Sequence, residues 1–337
     1  MAAEAGSDEK PAMPYMPRIG LALGSGSARG LAHLGVIRAI EEAGLHIDFV
    51  AGTSIGALIG AIYAAGGRKD LEATFLAFDW KKTVSFFDLV LPRSGLLDGA
   101  RISDLVRAHV GDRRIEALPT PFNAVATDIL TGEEVIIRSG DVIEAVRASI
   151  SVPGILTPVR SNGRILVDGG LTNPVPVSAA RAMGAEIVIA VDVNHEIIAG
   201  KNLKPFLTMT TNSAATAISE RAISRWVSGY RESTQSFKQK LLERGGTTAA
   251  QWSKWLSTEE PLPSIFEVLL ASINIVETGI TRSRFEADQP DVIIRPPLGH
   301  IRFLEFGRAA ETISIGYEHA RRQLAQQVPQ LLSGRTP

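Results

Sequence analysis

The chain has 337 residues, of which 45% are hydrophobic and 21% charged, the mixture of a globular protein with a sizeable core. It carries 35 Lys and Arg against 36 Asp and Glu, a formal net charge of −1, so it lacks the basic excess typical of nucleic-acid-binding proteins. Cysteine is absent, which excludes a disulfide framework and a thiolate metal site.

The first segment predicts no secondary structure. Residues 1–17 combine acids, a single lysine and three prolines, and they contain no apolar h-region of a signal peptide. We therefore expect a flexible leader here and a cytoplasmic protein.

From residue 18 onward, short apolar runs alternate with helical patterns. Residues 19–23 read as a buried strand, 31–43 as a helix that ends at a glycine, 47–51 as a strand and 55–65 as a helix. Strands separated by helices predict right-handed crossovers and a mostly parallel sheet covered on both faces.

The later part of the chain continues this alternation. Strands are predicted at 122–127, 134–137, 164–167, 186–193 and 291–295, and helices at 176–183 and 308–326. We predict a core over residues 18–195 that the C-terminal residues 264–330 complete.

Residues 48–68 allow a second interpretation as a membrane span, because no charge lies between Asp48 and Arg68. The stretch includes a repeat of glycines at every fourth position, which suits helix packing in lipid. However, Gly52-Thr53-Ser54 interrupts the stretch, and its glycines would weaken a single helix. A strand, a turn and a buried helix explain it better.

The segment 196–263 differs from the rest, because it is polar, Ser/Thr-rich and helical in pattern. We predict a helical insertion that packs on the core, acts as a lid or interfacial arm, or forms a subunit contact. Its tryptophans, Trp226, Trp252 and Trp255, together with nearby basic residues, favour peripheral contact with the inner face of a membrane. The sequence does not indicate the oligomeric state.

Gly52-Thr53-Ser54-Ile55-Gly56 matches the G-x-S-x-G pattern of a nucleophile elbow. The pattern is short, but an apolar strand precedes it and an apolar helix follows, as an elbow requires. The helix N-terminus would direct backbone N–H dipoles towards negative charge near Ser54. A helix-capping serine between glycines that permit close packing is the alternative.

A glycine-rich loop, Gly24-Ser25-Gly26-Ser27-Ala28-Arg29-Gly30, also joins a predicted strand to a helix. Such a loop presents several backbone N–H groups and can hold an anion. An oxyanion hole beside Ser54 explains both glycine turns at once. A dinucleotide site with Asp48 on the ribose is the alternative, although the glycine spacing is one residue longer than its fingerprint.

A serine nucleophile needs a base, and two arrangements remain open. A triad would combine Ser54 with Asp168 or Asp192 and with His195 or His300. In the other arrangement Asp168, which ends a strand and precedes Gly169 and Gly170, takes the proton directly. Burial would raise its basicity above that of an ordinary aspartate.

The ordered set of loop 24–30, elbow 52–56 and Asp168-Gly169-Gly170 resembles the patatin-like phospholipase family, in particular bacterial members similar to the neuropathy target esterase catalytic domain. The resemblance implies a three-layer α/β/α fold and hydrolysis of phospholipids, lysophospholipids or other fatty-acyl esters. It covers residues 18–192 well and continues near the C-terminus.

The resemblance further implies a Ser54–Asp168 dyad without a histidine, a metal or a cofactor. The implied oxyanion donors are the backbone N–H groups of Ser25, Gly26 and Ser27, and Arg29 braces the loop or meets a head group. This chain has serines where the family usually has glycines in that loop. A non-catalytic module that keeps the fold and holds lipid remains an alternative.

Overall fold

The computed structural model describes residues 17–77, 98–196 and 265–333. An eight-stranded sheet forms the centre of the protein. Its strands are β1 (Ile19–Leu23), β2 (Phe49–Thr53), β3 (Phe122–Asp128), β4 (Glu134–Ile137), β5 (Val159–Ser161), β6 (Arg164–Asp168), β7 (Ile187–Val191) and β8 (Val292–Ile294). Hydrogen bonds link them in the order β5-β6-β3-β2-β1-β7-β8, and β4 also pairs with β3.

Helices cover both faces of this sheet. They are α1 (Ala32–Glu42), α2 (Ile55–Ala64), α3 (Arg68–Leu76), α4 (Ala100–Val110), α5 (Val142–Ser149), α6 (Val177–Ala182), α7 (Ile265–Asp288) and α8 (Ala309–Ser333). Leu21 and Ile189 point into the larger core with α1, α2 and α8, whereas Ala22 and Val188 point into a smaller core with α6. The predicted three-layer α/β/α fold is confirmed.

The sheet is mostly parallel, as predicted. Strands β3, β2, β1, β7 and β8 run parallel to one another, whereas β4 and β6 pair antiparallel with β3, and β5 pairs antiparallel with β6. A two-residue turn joins β5 to β6, in which Asn162 and Gly163 both have positive φ angles of 49° and 78°. Asn-Gly is the favoured sequence for such a hairpin turn.

The predicted strand at 47–51 is shifted in the structure, where β2 begins at Phe49 because Gly20 of β1 pairs with Phe49. Residues 48–68 form β2 and the buried helix α2, so the membrane-span interpretation is wrong. None of the helices within the described ranges has the length and apolar character to cross a bilayer. The predictions for residues 1–16 and for Trp226, Trp252 and Trp255 lie outside the described residues.

Candidate active site

The turn between β2 and α2 holds Ser54 in a strained conformation. Its φ of 57° and ψ of −125° lie in a region that side chains other than glycine rarely adopt. The Ser54 N–H donates to Oγ of Ser149 at 2.9 Å, and the Ser149 hydroxyl donates to the Val125 carbonyl at 2.5 Å. The end of α5 therefore fixes this turn, which has the sharp geometry predicted for an elbow.

Both glycines of the elbow are needed for space rather than for their φ angles. A Cβ atom on Gly52 would overlap the backbone of Gly56 and Ala57, and one on Gly56 would overlap the carbonyl oxygen of Leu23. The start of α2 therefore packs directly against the ends of β1 and β2, and a side chain at either glycine would push α2 away from one of these strands.

The pairing of β3 explains why Ser54 and Asp168 meet. Thr53, the last residue of β2, pairs with Val125, and Asp168, the last residue of β6, pairs with the next residue, Ala126. Strand β4 pairs with the opposite edge of β3 over this stretch. Strands β2 and β6 therefore approach each other end to end along one edge, and the residues at their C-terminal ends become neighbours.

The Ser54 hydroxyl donates a hydrogen bond to Oδ2 of Asp168 at 2.6 Å. The other carboxylate oxygen, Oδ1, accepts the Gly170 N–H at 2.7 Å, which fixes the plane of the group. Burial raises the pKa of Asp168 to about 6, although the hydrogen bonds from Ser54 and Gly170 act in the opposite direction. The carboxylate is thus a stronger base than an exposed aspartate and is still ionised at neutral pH.

The glycine-rich loop supplies fewer free donors than the resemblance implied. The Ser25 N–H donates to the Pro174 carbonyl at 2.8 Å, so Ser25 is not available as an oxyanion donor and that part of the prediction is wrong. Within the described ranges, the N–H groups of Gly26 and Ser27 donate to no protein acceptor. Ser27 has a φ of 49° and lines the same cavity as Ser54.

Two buried side chains hold this loop in place. The His33 Nε2–H donates to the Gly24 carbonyl at 2.8 Å, and burial lowers the pKa of His33 to about 4, so the ring is neutral. Arg29 is fully buried, with Nε on Asn194 and Nη1 on the Ile301 carbonyl. Arg29 therefore braces the loop and is not accessible to a head group.

The cavity beside Ser54 is apolar. It has an empty volume of about 550 Å³ including its open mouth, and, apart from Ser27 and Ser54, the described residues that line it are all hydrophobic. The lining includes Leu58, Phe75, Ile150, Leu156 and Phe306. Such a cavity favours an aliphatic ligand and offers no charged group for a polar one.

The histidines of the predicted triad lie in other interactions. His300 pairs with Glu311 at 3.0 Å, and Asp192 pairs with Arg295 at 3.3 Å. No histidine in the described part of the chain hydrogen-bonds to the Ser54 and Asp168 side chains, and His195 lies near Asp192 instead. The geometry therefore disagrees with the triad.

The position of Asp48 disagrees with the alternative of a dinucleotide site. Asp48 precedes β2 and accepts the Ile19 N–H at 2.7 Å, at the opposite end of these strands from the glycine-rich loop. Among the described residues, no three His, Cys, Asp or Glu side chains form a group that could hold a metal ion. The site thus consists of the Ser54–Asp168 pair, the loop and the cavity.

Sequence reasoning missed Ser149 and a buried polar cluster that contains Asn194, Asn274 and Glu277. Asn274 accepts from Nη2 of Arg29 at 3.0 Å, and Glu277 accepts from the Ser25 hydroxyl at 2.8 Å. Both residues belong to α7, for which the sequence suggested no role. No local pattern marks these contacts, since the partners lie more than 200 positions apart.

Comparison with known proteins places this geometry in a family. An uncharacterised NTE family protein of Mycobacterium tuberculosis is 32% identical over 335 residues, which cover 89% of each chain. The chain belongs to the patatin-like phospholipase family. The family model "Patatin-like phospholipase" matches residues 21–181, which contain the loop, the elbow and Asp168. Members of this family hydrolyse lipid esters, so this patatin-like protein is a lipid hydrolase.

A more distant sequence relative agrees with this placement. The mouse patatin-like phospholipase domain-containing protein 7 is 30% identical over 315 residues, which cover 90% of this chain and 20% of that protein. Among solved structures, VipD from Legionella pneumophila aligns with a TM-score of 0.43 and 14% identity, over 93% of this chain and 67% of its own. Family membership rests on the sequence relatives.

Proposed function

We propose that this patatin-like protein hydrolyses fatty-acyl esters, most directly phospholipids or lysophospholipids, through a Ser54–Asp168 dyad. The observation that carries the proposal is the 2.6 Å hydrogen bond from the Ser54 hydroxyl to Oδ2 of Asp168 at a strained strand–helix turn. A serine whose hydroxyl donates a hydrogen bond to a basic carboxylate needs no histidine to become a nucleophile.

In the acylation step, Oγ of Ser54 attacks the ester carbonyl carbon while its proton passes to Oδ2 of Asp168. The carbonyl oxygen becomes an oxyanion, which the free N–H groups of Gly26 and Ser27 stabilise. The removal of one such donor typically costs about 10²–10³ in rate. When the C–O bond to the leaving alcohol breaks, Asp168 returns the proton to that alcohol, and the acyl group stays on Ser54.

In the deacylation step, a water molecule takes the place of the leaving alcohol. Asp168 removes a proton from this water as its oxygen attacks the acyl carbon, and the same oxyanion site holds the new tetrahedral intermediate. The bond between the acyl carbon and Oγ of Ser54 then breaks, Ser54 recovers its proton from Asp168, and the fatty acid departs.

The cavity supports an acyl substrate. An extended alkyl chain that enters from Ser54 runs along apolar side chains, such as Leu58 and Leu156, and each buried methylene contributes about 0.8 kcal/mol. The head group must then lie outside, because Arg29 is fully buried and already bonded. We expect stronger selection for the acyl chain than for the head group.

A purely lipid-binding role would not require a serine held in a strained turn against a carboxylate. The proposal is tested by fatty-acid release from a panel of phospholipids and lysophospholipids of varied chain length. We expect release by the wild type, no release by Ser54→Ala, and wild-type release by Ser139→Ala, whose side chain is exposed. Lipid binding without release of fatty acid from any member would instead support the binding module.

A further inference from the structure

Glu277 of α7 reaches into the site from a distant part of the chain. Its side chain is buried, and Oε2 accepts hydrogen bonds from the Ser25 hydroxyl at 2.8 Å and from Nδ2 of Asn194 at 3.2 Å. Ser25 directly precedes Gly26 and Ser27, whose N–H groups are the proposed oxyanion donors. Glu277 thus connects a helix near the C-terminus to the loop that holds the oxyanion.

The second oxygen of Glu277 faces the other half of the site. A Cβ atom on Gly170 would contact both Oε1 of Glu277 and Oδ1 of Asp168, so both carboxyl groups lie close to Gly170. Gly170 also donates its N–H to Asp168. The absence of a side chain at position 170 is what allows both carboxyl groups to fit here.

The charges around Glu277 determine the form in which it is stable. Among the residues that the structure describes, the groups that face it are Asp168, Arg29, Ser25 and Asn194, and Arg29 is the cation of this set. Nη2 of Arg29 donates to Asn274, Nε to Asn194 and Nη1 to a backbone carbonyl, so its hydrogen bonds go to neutral acceptors. One buried cation balances one buried carboxylate, and a second carboxylate would have no compensating charge.

Burial, reinforced by the negative charge of Asp168, raises the pKa of Glu277 to about 8. The hydrogen bonds from Ser25 and Asn194 and the charge of Arg29 act in the opposite direction and are weaker. At neutral pH the group is therefore a carboxylic acid, and its Oε2 accepts from Ser25 and Asn194.

We propose that Glu277 is a positioning residue for ester hydrolysis: as a neutral acid it anchors the glycine-rich loop through Ser25 and leaves Asp168 as the only negative charge that the described residues place beside Ser54. This inference rests on the proposed function. When Glu277 ionises, a second negative charge appears next to the developing oxyanion and to Asp168. Hydrolysis then slows, because this second negative charge destabilises the oxyanion of the transition state.

The test compares kcat from pH 6 to 9 for the wild type, Glu277→Gln and Glu286→Gln, with a 4-nitrophenyl acyl ester as substrate. Glutamine keeps an acceptor for Ser25 but cannot ionise, and Glu286 is an exposed carboxylate on the same helix. Between pH 7 and 9 we expect kcat to fall about tenfold for the wild type and for Glu286→Gln, as the acid form of Glu277 is depleted. We expect Glu277→Gln to lose less than about twofold of its own value at pH 7.

An alkaline limb that is the same in the wild type and in Glu277→Gln would overturn the inference. A second readout is the rate at which a fluorophosphonate probe labels Ser54, which should show the same difference between the two proteins.

Glu277→Ala, which leaves Ser25 without its acceptor, should lower kcat roughly 10- to 100-fold with little change in KM, since a displacement of about 1 Å in an aligned site costs that much. A wild type that neither hydrolyses esters nor reacts with the probe would instead overturn the proposed function itself.

Discussion

Ser54 lies between two buried regions that are built in opposite ways. On one side is the apolar cavity, which Ser27 helps to line, and on the other is a polar cluster in which Ser25 donates to Glu277. Two serines of one loop, separated only by Gly26, thus belong to different environments. Under the proposed function, the cavity selects the substrate through apolar contact, whereas the cluster sets charge and geometry at the reacting atoms.

The largest expected effect on the rate comes from removal of the negative charge of Asp168. Asp168→Asn keeps the shape of the side chain but cannot accept the Ser54 proton, so kcat should fall about 10³- to 10⁴-fold, as for the orienting aspartate of serine proteases. The measurement is steady-state hydrolysis of a soluble acyl ester at pH 7.5. Asp104→Asn, at an exposed position of α4, is the matched control and should behave as the wild type. Activity of Asp168→Asn within tenfold of the wild type would show that another group is the base.

The next effect concerns the packing that places Ser54 between the two regions. In Gly56→Ala the new Cβ overlaps the Leu23 carbonyl oxygen, and overpacking of this kind lowers the free energy of unfolding by about 1–3 kcal/mol. Gly279→Ala on α7 is the control, because a Cβ there meets no atom within 4 Å and alanine favours the helix by about 1 kcal/mol. Urea unfolding of both variants measures the difference. Equal stability of the two variants would contradict the close packing of α2 on β1.

The fall of the rate at acid pH depends on the protonation of Asp168 and not on the apolar cavity. Asp168 must be ionised to accept a proton, and its pKa is raised to about 6, so the rate should fall roughly tenfold for each pH unit well below 6. The effect of pH on the free energy of unfolding has the opposite direction. Because the pKa of Asp168 is raised, folding is favoured while Asp168 is protonated, and this contribution to stability is lost as pH rises through about 6. Rates that stay constant down to pH 4.5 would exclude Asp168 as the base.

The smallest effect is expected on the apolar side. Leu156→Trp fills part of the cavity, so kcat/KM for a long-chain ester should fall roughly tenfold, which corresponds to the loss of about two buried methylenes. For a short-chain ester, kcat/KM should change little. Leu130→Trp, at a position that is 71% exposed, serves as the control. An equal loss for long and short esters would mean that the acyl chain does not occupy this cavity.

The part of the fold that depends on local sequence was predictable. Strands β1 and β4 have the predicted bounds and α2 ends one residue earlier than predicted, because glycines and short apolar runs mark these elements. The bounds of β2 were missed by two residues, since its start is set by pairing with β1. Helices α3, α4, α5 and α7 were not predicted, although the buried residues Ile102, Val106 and Val110 of α4 recur at helical spacing.

The candidate site divides in the same way. Ser54 and Asp168 were identifiable because each directly follows or ends a strand and has glycines beside it. The loss of Ser25 as a donor depends on Pro174, which no spacing rule connects to it. The role of Glu277 could not be predicted for the same reason. A glutamate in a helical stretch is ordinarily exposed, and only the fold brings this one to Ser25.

The central claim is that the hydroxyl of Ser54 is the reacting nucleophile. The most direct measurement is intact-protein mass spectrometry after treatment with a fluorophosphonate, followed by peptide mapping, for the wild type and for Ser54→Ala. The account predicts a single adduct on the peptide that contains Ser54 and none on the variant. An adduct on a different residue, or an equal extent of labelling in Ser54→Ala, would contradict it.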